Sequence, residues 1–232
     1  LNILESIRNL ELINKTKFYQ AGTSEMFGGA RRKAYNEMSK FAPKSPYGAS
    51  KVMAHHLTVN YREAYNIFAS NGILFNHESP LRGDNFVTKK IIYNLCKLKK
   101  QNNHKFYLGN LYAERDWGHA EDYIEAMWLI LQQKKPKDFV ISTGKNYTVK
   151  DFVNESCRQL NIKIRWVGSG LKEKAINLST NKSIIEIKRE FFRPNEVNYL
   201  RGNSSYARKV LKWKPKHNLK SLIKDMINFK IN

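Results

Sequence analysis

Ser45-Pro46-Tyr47-Gly48-Ala49-Ser50-Lys51 decides the reading of this chain, because it opens a helix and puts two chemically active side chains on it. Ser45 suits an N-cap, and Pro46 suits the first helical position, where a missing N–H does no harm. Tyr47 and Lys51 then stand at i and i+4 on one helix face. A cation beside a phenol favours the phenolate, which can act as a general base. Upstream, Lys17 to Ala21 reads as a short buried strand, and the polar run Thr23-Ser24-Glu25 follows where such a strand meets an active-site loop. Thr23, Glu25, Tyr47 and Lys51 together suggest a proton-handling site of dehydrogenase type with one extra carboxylate.

Working outward, the helix opened by Ser45 is expected to bury Ala54, Leu57, Tyr61, Ala64 and Tyr65. Gly28 to Phe41 is polar and reads as a loop over the site. Phe68 to Phe75 reads as a strand despite Asn71-Gly72, a strong hairpin signal, because the preceding helix needs a crossover partner. Further helices are expected over Leu1–Leu12, Thr88–Lys99, His119–Gln132, Tyr206–Leu211 and Leu219–Phe229. Thr148 and Asp151 have the spacing of an N-cap and third-position acid, opening one more helix through Leu160. Phe139–Ile141 and Ile164–Val167 read as strands, and Gly168 to Lys182 as a loop. The alternation predicts an α/β fold with an α+β cap built from the later elements.

With 232 residues and 41% hydrophobic content, the chain is long enough to bury a sizeable core. No apolar run approaches the roughly 20 residues that span a bilayer. Cys96 and Cys157 are the only cysteines, far apart and without metal spacing, which suits a reducing, cytoplasmic compartment and predicts no metal site. The net charge of +21 would suit a nucleic-acid binder. The basic residues are scattered, however, and no recognition module is visible, so a Lys-rich surface with an anionic small substrate fits better. Leu1 begins in mid-pattern with no cap before it, and an N-terminal part is expected to be missing.

Alone, Tyr-x-x-x-Lys recurs by chance on amphipathic helices. With Thr23 upstream, it resembles the Ser/Thr–Tyr–Lys arrangement of the extended short-chain dehydrogenase/reductases. Longer strings narrow the likeness: 18–28, Asn71 to Pro80, Leu108-Gly109-Asn110, Arg115 to His119, Ala126-Met127-Trp128, Phe139 to Gly144 and Arg193-Pro194-Asn195-Glu196-Val197. These resemble the GDP-mannose 4,6-dehydratases over essentially the whole chain.

That resemblance implies an NAD(P)-binding Rossmann fold, incomplete because only the C-terminal part of its parallel sheet is present, with a smaller α+β substrate-binding domain. The expected division is 1–80 with 112–145, and 81–111 with 146–232. It implies Tyr47 as the base at the sugar's C4 hydroxyl and Lys51 as its partner, which also holds the nicotinamide ribose. Thr23 would hydrogen-bond O4, and Glu25 would remove the C5 proton. His77 and Arg82 would contact NADP, while Asn76, Lys90, Arg115, Arg193 and Glu196 would bind the GDP-sugar. A bland reading of Arg115 is a surface residue paired with Glu114 or Asp116, and one of Glu25 is a solvated loop acid.

GDP-mannose, a homo-oligomer (dimer or tetramer) and GDP-fucose or GDP-rhamnose type biosynthesis follow from the same likeness; no nucleic acid or membrane partner is expected. Gly22 stands where the family usually has Ser, and 30–42 is more basic than the family's stretch. The Gly-rich cofactor turn has no counterpart here, so the chain alone is expected to bind NADP poorly. The alternatives are another nucleotide-sugar dehydratase, epimerase or reductase, or a non-catalytic nucleotide-sugar-binding remnant.

Overall fold

The computed structural model describes residues 1–29, 32–101, 104–192 and 195–231. The chain first forms α1 (Asn2–Asn9), β1 (Lys17–Thr23), β2 (Ala34–Tyr35), α2 (Pro46–Tyr65), β3 (Phe68–Leu74), β4 (Asn76–Glu78) and α3 (Val87–Lys100). Next come β5 (Phe106–Leu108), β6 (Glu114–Arg115), β7 (Trp117–His119), α4 (Ala120–Leu131), β8 (Phe139–Ile141), β9 (Tyr147–Thr148) and α5 (Val149–Gln159). The last elements are β10 (Ile164–Val167), β11 (Lys174–Asn177), β12 (Lys182–Ile187), β13 (Tyr199–Gly202), α6 (Ser205–Leu211) and α7 (Leu219–Ile231). They fall into two units: Leu1–His77, Asp116–Asn146 and Tyr199–Lys216 form the first, and Glu78–Arg115, Tyr147–Asn198 and His217–Asn232 the second. No helix among the described residues is long and apolar enough to cross a membrane.

In the first unit, β1, β3 and β8 form a parallel sheet in that order. Lys17 pairs with Phe68 through to Thr23 with Leu74, and Gly72 to Leu74 pair with Phe139 to Ile141. Alternate residues of β3 face opposite sides. Ala69 joins Leu4, Ile7, Tyr61 and Ile67 beneath α1 and α2, whereas Leu74 joins Tyr123, Ala126 and Ile130 of α4 with Leu211 and Trp213. Asn71-Gly72 is therefore strand, not turn. A Cβ on Gly72 would lie 2.0 Å from the Tyr19 hydroxyl oxygen, so the glycine makes room for that ring across the sheet.

The buried face of α2 differs from its expected apolar stripe. Gly48, His55, Thr58 and Tyr61 are buried, while Ala64 and Tyr65 are exposed. The helix is held to the sheet partly by polar groups, to which apolar periodicity is blind. Arg62 clamps Asp138 with contacts of 2.7 and 3.0 Å, and the Asn71 backbone N–H and side-chain amide donate to the same carboxylate at 3.0 and 2.9 Å.

Two other expectations need correction. The stretch Gly28–Phe41 contains β2, which pairs in parallel with β13 (Ala34 with Arg201, Tyr35 with Gly202). Tyr199–Lys216 accordingly belongs to the first unit, although the sequence division grouped all of 146–232 together. Trp213 anchors the segment, donating its indole N–H to the Asp122 carbonyl at 2.8 Å.

In the second unit, β10, β11 and β12 run antiparallel and β12 pairs with β5 in parallel. The expected loop Gly168–Lys182 thus contains β11 and the start of β12. Its single apolar pair, Ala175-Ile176, gave too little alternation for a strand, yet both side chains are buried. Helices α3, α5 and α7 pack on one another, and Ile91, Leu95, Phe152, Val153, Leu222 and Ile223 on them are buried. Each such buried side chain contributes roughly 2 kcal/mol relative to an exposed one. The Thr148–Asp151 capping box at the start of α5 is present as expected.

Burial alone would push the Asp138 carboxyl up, but Arg62 and Asn71 outweigh it and hold it below the ordinary aspartate value. Stability from such a group is present above the unfolded value, about 3.9, and is lost as pH falls through the lower folded value. Acid unfolding below about pH 4 should therefore contain an Asp138 component. Asp138→Asn should remove that component and cost about 2–4 kcal/mol at neutral pH, because Arg62 loses its carboxylate. Thermal melts across pH test this, and an unchanged acid limb in the variant would refute it.

Candidate active site

The site begins where β1 stops. Thr23 is extended (φ −148°, ψ 148°) and caps a short 3₁₀ turn, Ser24–Phe27, by accepting the Glu25 N–H on its hydroxyl at 3.3 Å. Because Oγ1 takes that N–H, the hydroxyl proton remains the group's donor. Gly28 ends the turn at φ +67°, and a Cβ there would fall 1.8 Å from the Ala42 carbonyl oxygen. The chain returns at that point, and the Ala42 N–H donates to the Met26 carbonyl at 2.9 Å.

Four residues later α2 starts. Ser45 is its N-cap, accepting the Gly48 N–H at 3.0 Å, with Pro46 in the first turn. The same Ser45 hydroxyl donates to Glu25 Oε2 at 3.3 Å. Tyr47 is 54% exposed, so its phenol is accessible. Lys51 Nζ donates to the Ala21 carbonyl of β1 at 3.0 Å and lies 5.8 Å from the Tyr47 ring centroid. Thr23, Glu25, Tyr47 and Lys51 are thus gathered where one strand end meets one helix start. The contact of Ser45 with Glu25 has no signature in sequence; only the capping role could be read from spacing.

His77, in the same unit, donates from Nδ1 to the Phe75 carbonyl at 2.9 Å, since a carbonyl only accepts. Its ring stacks on Tyr123 with centroids 4.8 Å apart. Asn76 opens β4, half-buried. An accessible phenol and an anchored ammonium at the carboxyl end of a parallel strand are a donor set that fits a nicotinamide ribose.

Arg82, Lys90, Arg115 and Glu196 lie in the second unit. Arg82 pairs with buried Glu78 at 3.1 Å, and its guanidinium sits 3.4 Å from the Phe86 ring centroid. Lys90 Nζ is 3.7 Å from the Phe191 ring centroid, and burial lowers its pKa against an opposing pull from Glu190. Arg115 and Glu196 form an ion pair at 3.0 Å, and Arg115 also donates to the Glu114 carbonyl at 3.0 Å. Asp116 is not its partner. That buried carboxylate instead accepts the Thr143 N–H and hydroxyl and the Gly144 and Gly202 N–H groups. Arg193 lies outside the described residues.

A family model described as GDP-mannose 4,6 dehydratase matches residues 1–226. A GDP-mannose 4,6 dehydratase from Dictyostelium discoideum is 45% identical over 227 residues, covering 98% of this chain and 64% of that protein. The Homo sapiens protein of that name is 45% identical over 228 residues, covering 98% and 61%. The chain therefore spans less than two thirds of these relatives' length. Among solved structures, a dTDP-glucose 4,6-dehydratase from Bacillus anthracis in complex with NAD superposes with TM-score 0.79 at 18% identity, covering 98% of this chain and 64% of that one. A Thermus thermophilus UDP-glucose 4-epimerase in complex with NAD gives TM-score 0.79 at 18% identity, covering 100% and 68%. At that identity the likeness establishes the fold alone, an α/β fold of Rossmann type.

Gly28→Ala should destabilise the chain by about 2–4 kcal/mol, combining left-handed backbone strain with overlap against Ala42. Denaturant unfolding checks this. A variant as stable as the parent would show that the turn under Glu25 is not held as described.

Proposed function

The chain belongs to the GDP-mannose 4,6-dehydratase family, and from that premise we propose that its protein is a hydro-lyase converting GDP-mannose to GDP-4-keto-6-deoxymannose with NADP. One observation carries this reading. Glu25 stands two residues beyond Thr23, and its carboxylate is bonded to Ser45 at the start of the helix bearing Tyr47 and Lys51. A dehydrogenase that only oxidises needs no second base; a dehydratase does.

When bound, NADP supplies the acceptor for the C4 hydride and later the donor of a hydride to C6. Tyr47 takes the proton of the C4 hydroxyl, and Lys51 stabilises the phenolate electrostatically. The Thr23 hydroxyl donates to O4, polarising the ketone and acidifying the C5–H bond. Glu25 takes the C5 proton while the C5–H bonding pair forms the C5–C6 double bond, and it returns that proton to the departing C6 hydroxyl, which leaves as water. Once C6 has received its hydride, the proton that Tyr47 took from the C4 hydroxyl goes to C5. There is no net redox change.

His77 and Arg82 join Tyr47 and Lys51 in holding NADP in this proposal, and Asn76, Lys90, Arg115, Arg193 and Glu196 bind the GDP-sugar. The Arg115–Glu196 pair supports that role, because it fixes the plane of a guanidinium suited to diphosphate oxygens. A cytoplasmic location is supported by the free, buried Cys96 and Cys157. A homo-oligomer is supported by the exposed Met53 and Tyr65 on α2.

In the protein expressed from its complete reading frame, Glu25→Gln should lower dehydration about 10²- to 10⁴-fold while GDP-mannose binding changes little. Turnover assays with GDP-mannose, and with dTDP-glucose and UDP-glucose as rivals, test the reading. Retained dehydration in Glu25→Gln, or a preference for a rival sugar nucleotide, would overturn it.

A further inference from the structure

We infer that Ser45 is a positioning residue for the elimination step, a role that rests on Glu25 being the base at C5. Its hydroxyl has one proton. Accepting the Gly48 N–H at 3.0 Å fixes one lone-pair direction through the geometry of the first helical turn. The O–H is then aimed at Glu25 Oε2, 3.3 Å away, a loose contact of the kind that unliganded catalytic hydrogen bonds commonly show. A glutamate side chain turns about three torsions, the last of them broad, and here it stands on a turn rather than on a long helix. The Ser45 tie sets the carboxylate against the helix start, two residues before Tyr47. A single oxygen atom therefore registers the two bases of the reaction against each other.

The N-cap and positioning roles can be separated. Glycine is an acceptable N-cap but has no hydroxyl, whereas threonine retains both functions. In single-turnover experiments with GDP-mannose and NADP, Ser45→Gly should form reduced nicotinamide at the parent rate. Elimination should then slow by about 10- to 100-fold, the penalty typical of a displaced catalytic group, so reduced nicotinamide accumulates. KM and the thermal midpoint should change little, and Ser45→Thr should restore elimination. If Ser45→Gly eliminates as fast as the parent, or slows both steps alike together with a fall in thermal midpoint, Ser45 is only a cap and the inference is wrong. Glu25→Gln run alongside separates the levels. Retained turnover there overturns the reading of Glu25 and this inference with it; lost turnover beside a parent-like Ser45→Gly overturns this inference alone.

Discussion

Arg62 and Asp138, joined by Asn71, hold α2 in one rotational setting against the sheet, and the geometry of the site depends on that setting. Apolar packing alone would define it poorly, since contacts between hydrocarbon groups are not directional. Hydrogen bonds to a carboxylate are directional, and this carboxylate receives a bidentate guanidinium and two N–H groups. Twenty helical residues form a rod of about 30 Å, so the clamp near the C-terminal end of α2 also sets the direction of Tyr47 and Lys51 near its start. The second anchor is at that start, where Lys51 reaches the Ala21 carbonyl and Ser45 reaches Glu25. A helix pinned at both ends cannot rotate Tyr47 away from the end of β1 without breaking one of these ties.

What could be read from the sequence follows from how local each interaction is. The cap at Ser45, the box at Thr148 and Asp151, and the i, i+4 pair of Tyr47 and Lys51 span five residues or fewer, so spacing reveals them. Glu25 and Ser45 are twenty positions apart in sequence. They meet only because Gly28 turns the chain and Ala42 returns it, and no periodicity encodes that closure. The buried stripe of α2 is hidden for a related reason: polar Thr58 and His55 are buried, with Thr58 bonded to the Ala54 carbonyl of its own helix and His55 edge-on to Phe41, while apolar Met53 faces solvent. Strand β11 reads as loop in the sequence because Lys174 and Asn177 bound a single apolar pair with no alternation.

Part of the charge of +21 is accommodated in the fold by where several ammonium groups rest. Lys188 lies 4.0 Å from the Tyr107 ring centroid, Lys150 4.9 Å from that of Trp166, and Lys230 4.5 Å from that of Tyr93. A lysine over an aromatic face covers apolar surface with its stem and gains from the ring quadrupole. These positions are spread over the helices and strands of the second unit. Such contacts serve packing at separate points.

Arg115 and Asp116 show how an extended backbone sorts adjacent charges. Asp116 lies just past β6, and neighbours of opposite sign need not pair with each other when each has other partners. Asp116 is buried; burial pushes its carboxyl up, and four N–H and O–H contacts satisfy it. Arg115 turns to Glu196 and the Glu114 carbonyl. Had the two formed a local salt bridge, Thr143, Gly144 and Gly202 would have lost the acceptor that gathers the end of β8 to β13, and Arg115 would have lost the long-range partner that orients it. The two neighbouring charges therefore serve separate contacts, Asp116 with Thr143, Gly144 and Gly202, and Arg115 with Glu196.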